Sequence, residues 1–414
     1  MSLKIKTEHK RSLSFYLSAG FQSVGGLIAT LIMTRFLTPE EFSILAIFGV
    51  FLSIFDSFSG LNSFGIFEAR FFRTSRKEKG ELITALFFIN GTTVILTTTI
   101  VLFIYKIFNY DFEGLPVIWV LICIFLSGLK QLQSLLLIAL QYLDRYFKYL
   151  IVHFANLAVL LLGLIMLFYL FKAEWYFRYI PVFISSLIVA GISVTFLSKN
   201  FKIHTRTVWS LIHECLSYGL PLIPHKIAAL LLTIAGQIII SKYLKDPDQL
   251  TNYFLALKLG VIVMLLNDSL NKIFGPQINK AITESKNEIL KKIIIKASGF
   301  IVLGLITFIF TIPLIIGILL PTEYSGSIPI IPLIAIGYAF HGVYSLVVNI
   351  SMFKEKTKDV FYINIVSGIT AVIVMISLAK KFEATGIATG FLIGQIIKLI
   401  LVLSKTNFKW KINI

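Results

Sequence analysis

Six charged residues of this 414-residue chain fall within or at the ends of apolar stretches, where charge is costly, and any chemistry must be sought there first. Lys130, Lys226, Lys258 and Lys398 are basic; Asp56 and Asp268 are acidic. A lysine at a bilayer centre costs about 2.5 to 3.5 kcal/mol on insertion scales, so one that stays there faces a cavity or a partner. Lys130 lies about thirteen residues into its run, roughly 20 Å deep, with Ser127, Gln133 and Ser134 near its face at helical spacing. Lys226, Lys258 and Lys398 lie about 10 Å or less from a surface, within reach of headgroups for a long side chain. Such ammonium groups attract anions: at an effective dielectric of about 20, a unit charge 4 Å away gains roughly 4 kcal/mol before desolvation. Lys130, Lys226 and Lys258 are expected to line a cavity.

Asp56-Ser57 and Asp268-Ser269 repeat one dipeptide near the ends of two runs. An embedded acid either titrates, coupling transport to a proton or sodium ion, or caps a helix or pairs with a lysine such as Lys272. His225, beside Lys226, follows Pro221 and Pro224, which bend a helix by removing backbone donors; it is either a cavity residue at a gate or the cap of a kink. His153 and His341 are lone histidines on apolar helices and read as packing residues. Cys123 and Cys215 have neither disulfide nor metal-ligand spacing. No metal and no cofactor is expected.

These residues need membrane-spanning helices to position them. The chain is 57% hydrophobic and only 14% charged, with a mean hydropathy of +0.87, whereas soluble domains are about a quarter charged. Its net charge of +17 is dispersed between apolar runs instead of being gathered on one polar face, which excludes a nucleic-acid partner. Twelve apolar runs of about 20 residues are expected to span, at 13–33, 42–64, 83–105, 117–140, 149–171, 178–198, 217–241, 252–274, 296–319, 329–353, 360–380 and 384–404. The fold class is therefore an all-α polytopic membrane protein. Alternate-side counting puts 26 basic residues on one face, starting with Lys4, Lys6, Lys10 and Arg11, and 8 on the other, among them Arg35 and Arg178. Both termini are then cytoplasmic. Residues 275–295, with Ile282, Ile289, Leu290 and Ile293, read as an amphipathic segment lying on the inner surface.

Thr34-Arg35-Phe36-Leu37-Thr38-Pro39-Glu40 is echoed by Ser241-Lys242-Tyr243-Leu244-Lys245-Asp246-Pro247-Asp248, each after the first helix of a six-helix half. Six is even, so the halves, 1–205 and 206–414, share one orientation. Two parallel six-helix bundles around a central cavity imply a transporter.

The segment Leu220-Pro221-Leu222-Ile223-Pro224-His225, with Ile238 to Leu244, Ala256-Leu257-Lys258-Leu259-Gly260 and Phe274-Gly275-Pro276, resembles the start of the second half of Wzx-type polysaccharide flippases. These belong to the multidrug/oligosaccharidyl-lipid/polysaccharide exporter superfamily. The loop Thr34 to Phe42 is similar too. The resemblance implies a flippase that moves undecaprenyl-diphosphate-linked oligosaccharide across a bacterial cytoplasmic membrane for surface polysaccharide biosynthesis, with membrane lipids and polysaccharide-assembly proteins as further partners. Where many relatives carry an Asp-Arg pair, this chain has Gly236 and Gln237. Gln237 is retained as a cavity candidate, but a charged contact there is not carried over.

Two other functions are weighed. A drug or organic-cation antiporter of the same superfamily would want an acidic cavity, and four embedded lysines against two acids disfavour it. A membrane glycan polymerase or acyltransferase would need convergent acid, base or nucleophile groups, and the short outer loops carry no histidine. The chain is therefore expected not to be an enzyme.

Overall fold

The computed structural model describes residues 25–71, 74–201, 209–353 and 357–406. The basic N-terminal residues Lys4, Lys6, Lys10 and Arg11, and the side chain of His225, lie outside what is described. Among the described residues all regular structure is helical: α1 (25–33), α2 (Pro39–Phe58), α3 (Gly65–Arg70), α4 (Arg76–Phe108), α5 (Val117–Tyr142), α6 (Tyr146–Leu170), α7 (Tyr179–Phe201), α8 (Trp209–Gly219), α9 (Ile223–Ile239), α10 (Pro247–Thr283), α11 (Asn287–Leu319), α12 (Ile330–Phe353) and α13 (Thr357–Lys405). Nine candidate spans among them are long and apolar enough to cross a bilayer.

Local chemistry sets the boundaries. Ser75 opens α4 with a capping box, its hydroxyl accepting from Glu78 N while the Glu78 carboxylate accepts from Ser75 N. Asp246 caps α10 ahead of Pro247, whose missing N–H is harmless in a first turn. Pro221 sits in a tight turn, Leu220–Leu222, that divides the expected span 217–241 between α8 and α9. The last two expected spans are the arms of α13, broken at Glu383 (φ 50°). Three glycines at a spacing of four make that hairpin possible. A Cβ on Gly386 would lie 2.7 Å from Leu378 O, one on Gly390 2.8 Å from Met375 N, and one on Gly394 2.6 Å from Ala371 Cβ. The arms therefore run antiparallel at a separation only glycine permits.

One expectation is corrected. Residues 275–295 form no separate surface segment: α10 runs unbroken for 37 residues to Thr283, about 55 Å, and α11 starts at Asn287. Side-chain pairs such as Lys280–Glu284 (4.0 Å) and Lys291–Glu288 (3.0 Å) support the helix ends, and Ser285 makes the turn at positive φ.

Contacts divide the chain into two compact units. The N-terminal unit comprises residues 1–32 and 47–226, and the C-terminal unit residues 33–46 and 227–414. The start of α2 belongs to the C-terminal unit: Phe42 packs edge-on against Phe254 and Tyr324, Thr251 donates to Pro39 O (2.6 Å), and the Tyr324 hydroxyl donates to Leu37 O (2.6 Å). In the N-terminal unit, Phe48, Trp119, Trp175, Tyr176 and Tyr179 form an aromatic cluster at one end of α5 and α7. Such rings suit a headgroup boundary.

Candidate functional site

Lys130 projects from the middle of α5 into a cavity of about 510 Å³ built wholly from the N-terminal unit. Gln133, Ser134 and Leu137 follow it along the same helix face. His153, Asn156, Leu157 and Leu160 come from α6, Arg178 from the turn before α7, Ser185 and Ser186 from α7, and Gly25 and Gly26 from α1. Leu157 packs closely on Gly25, its Cδ1 2.1 Å from where a Cβ would stand. The volume falls in the usual range of small-molecule sites.

The polar groups of this lining are unevenly satisfied. Ser185 donates to Asn156 Oδ1, which fixes α7 to α6 at mid-cavity. By contrast, Arg178 Nη1 and both ring nitrogens of His153 are buried with no hydrogen-bond partner among the described residues. A buried donor without a partner costs about 1 to 3 kcal/mol, more when charged, so such groups persist where a ligand completes them. Guanidinium and ammonium groups only donate. With Lys130 and Arg178 in the lining and no Asp or Glu, the complementary ligand is an oxyanion with neutral hydroxyls for the amide and serine groups.

Of the charged and polar site candidates taken from the sequence, Lys130 lines this cavity, with Gln133 and Ser134 from its own helix face. Lys226 Nζ donates to Asp56 O near the end of α2 (2.9 Å), a half-buried bond within the N-terminal unit. Lys258, half-buried on α10, sits 4.9 Å over the Phe254 ring. Gln237 on α9 is 7% exposed, and its Oε1 has no partner among the described residues. Asp268 is exposed on α10, and Asp56 is half-buried. Lys398, placed by sequence within reach of headgroups, is 5% exposed, with its Nζ 4.4 Å over the Tyr344 ring.

Sequence reading missed Arg178 and His153, counting the first as a loop charge and the second as packing. The signal for Arg178 was its setting in Trp175-Tyr176-Phe177-Arg178-Tyr179, directly before a helix carrying the Ser185-Ser186 pair two turns on. For His153 it was Asn156, one turn along the same face.

Long apolar helices, packed in pairs, and a polar cavity inside one unit define a polytopic α-helical membrane fold. Solved structures share it. The lipid II flippase MurJ in an inward closed conformation matches with a TM-score of 0.71 at 16% identity, over 96% of this chain and 87% of that one. An inward-facing multidrug resistance MATE family transporter of the MOP superfamily matches with a TM-score of 0.69 at 10% identity, over 96% and 94%. A MATE transporter in the outward-facing conformation gives 0.62 at 12% identity, over 97% and 94%. At these identities the likeness shows the fold alone, an all-α polytopic membrane architecture. No curated protein matches the sequence. A family model described as polysaccharide biosynthesis protein matches residues 32–329, and the chain belongs to that family.

Proposed function

We propose that the protein is a flippase that moves undecaprenyl-diphosphate-linked oligosaccharide from the inner to the outer leaflet of a bacterial cytoplasmic membrane by alternating access, with Lys130 and Arg178 holding the diphosphate. The observation that carries this reading is the cavity with two cations, unpartnered nitrogen donors and no carboxylate in its lining. Gln133, Ser134, Asn156 and Ser186 offer the neutral contacts a sugar hydroxyl needs, and the polyprenyl tail stays in lipid. Membership of the polysaccharide biosynthesis protein family and a fold shared with a lipid II flippase support it. Lys226, Lys258, His225 and Gln237 belong to the same path in this reading, as sources of positive potential and polar contact. Residues 1–205 and 206–414 are its two repeats, and both termini are cytoplasmic. Polysaccharide-assembly proteins receive the product.

An organic-cation antiporter is the weaker reading, because its substrate would meet Lys130 and Arg178 in a lining that holds no carboxylate. The test is binding of a soluble short-chain prenyl diphosphate-sugar and of a quaternary ammonium dye to the purified protein. Saturable binding of the first, abolished in Lys130→Gln, supports the flippase. Binding of the dye alone refutes it.

A further inference from the structure

The end of the N-terminal unit at which α4 and α6 begin and α7 stops gathers cations that the cavity does not use. The last carbonyls of α7, which closes on Lys199, Asn200 and Phe201, have no acceptor role left within the helix and must find donors elsewhere. Arg76 in the first turn of α4 provides them: its Nε donates to Asn200 O (2.5 Å) and its Nη2 to Lys199 O (3.1 Å). Arg145, at the start of α6, donates from Nη2 to Asn200 Oδ1 (3.3 Å). The negative pole of α7 is thus already answered.

Further positive charge stands beside it. Arg145 and Lys148 lie 5.1 Å and 6.0 Å from the centre of the one Phe196 ring, two like charges converging from α6 on α7. Lys199 closes the group from the last turn of α7. Arg145, Lys148 and Lys199 are all exposed, and among the described residues none of them forms an ion pair, Asp144 next to Arg145 included. Elsewhere at this end the chain does supply acids: Arg70 pairs with Glu214, and Lys77 reaches Glu81 (3.9 Å).

An apolar stripe leads away from these cations on both helices. Ile151 follows Lys148 by three residues on α6, and Ile188 and Ile192 precede Lys199 by eleven and seven on α7, so each set shares a helix face with its lysine. The three isoleucines are 48%, 55% and 48% exposed. α6 and α7 pack against each other and are both candidate spans, so the stripe meets hydrocarbon and its basic end meets headgroups.

We propose that Arg145, Lys148 and Lys199 bind the phosphate headgroup of one anionic diacyl phospholipid whose chains lie on Ile151, Ile188 and Ile192. The isoleucines select a lipid over a free phosphate, and three cations without a paired acid select a net negative headgroup over a zwitterionic one, whose own cation they would repel. The site shares no residue with the Lys130 cavity and does not rest on the flippase reading.

The test is binding of a fluorescent-tailed phosphatidylglycerol to the purified full-length protein in neutral detergent, with unlabelled competitors. Saturable binding is expected, displaced at least tenfold better by phosphatidylglycerol than by phosphatidylcholine and not by inorganic phosphate in large excess. Lys148→Gln and Lys199→Gln should each weaken it about fivefold, the effect of one basic residue at a headgroup surface. Lys148→Arg should bind as the wild type does, and so should Lys77→Gln, which removes a lysine that has an acid in reach. Where Lys148→Gln fails to fold, Lys199→Gln is read in its place. Equal displacement by the two lipids, displacement by inorganic phosphate, or equal affinity in the wild type and both glutamine variants overturns the proposal. Displacement by a prenyl diphosphate-sugar that is lost in Lys148→Gln assigns the stripe to the substrate lipid and also overturns it. Phosphatidylglycerol binding that persists while prenyl diphosphate binding fails overturns the flippase reading alone.

Discussion

Lys130 and Lys398 are both lysines on apolar helices, and the protein treats them in opposite ways. Lys398 is packed in the C-terminal unit at 5% exposure with its ammonium against the face of Tyr344, a cation–π contact that supplies its partner from within the chain. Lys130, half-buried, opens into a 510 Å³ cavity beside Arg178 Nη1 and the two ring nitrogens of His153, which lack partners among the described residues. Among the described residues, buried nitrogen is left unpaired at Arg178 and His153 in the N-terminal unit and at His341 in the C-terminal unit, which also leaves amide oxygen unpaired at Gln237, Asn252 and Asn267. Embedded charge marks a ligand site where the chain withholds the partner, and a structural lysine where the chain provides it.

The largest expected effect falls on the cationic pair. Lys130→Gln or Arg178→Gln should each lower affinity for a prenyl diphosphate-sugar by roughly 10- to 100-fold, since a hydrogen bond to a charged group contributes about 1.5 to 3 kcal/mol. Titration calorimetry on normally expressed protein checks it. A change under threefold in both variants would remove the distinction between the two lysines. Next comes Gly390→Leu, whose side chain must enter the contact with Met375 that closes the α13 hairpin. Overpacking of this kind costs about 1 to 3 kcal/mol, read as a lower melting temperature of the detergent-solubilised protein. A smaller effect is expected of Ser185→Ala, which removes the bond to Asn156 and with it about 0.5 to 1.5 kcal/mol, a two- to tenfold weakening of sugar-diphosphate binding. Smallest is Lys398→Met: an apolar chain of similar length replaces a buried charge, so binding should stay within twofold and stability should hold or rise. A tenfold loss of binding in Lys398→Met would show that the cation–π lysine belongs to the ligand path after all.

Much of the architecture was legible because hydropathy and helix period act locally. The expected runs 83–105 and 117–140 fall inside α4 and α5, and 149–171 overruns α6 by one residue. The outlying surface segment at 275–295 was misjudged because sequence shows apolar positions but not that Glu and Lys pairs carry α10 and α11 on as helix. Lys130 was legible because depth alone makes a charge there expensive. Arg178 and His153 were not, since an arginine before a helix and a histidine within one acquire meaning only from what α5, α6 and α7 bring opposite them. Asp56 and Asp268 stood out in the sequence for the same reason as Lys130, charge near the end of an apolar run.

The central claim is that the Lys130 and Arg178 cavity carries the diphosphate across the membrane. It is tested most directly in proteoliposomes holding a fluorescent polyprenyl diphosphate-oligosaccharide, with movement between leaflets read by quenching of the outward-facing label. The account predicts rapid translocation by the wild type and by Lys398→Met, and none above protein-free vesicles by Lys130→Gln or Arg178→Gln at equal reconstitution. Wild-type rates in both cavity variants would contradict it.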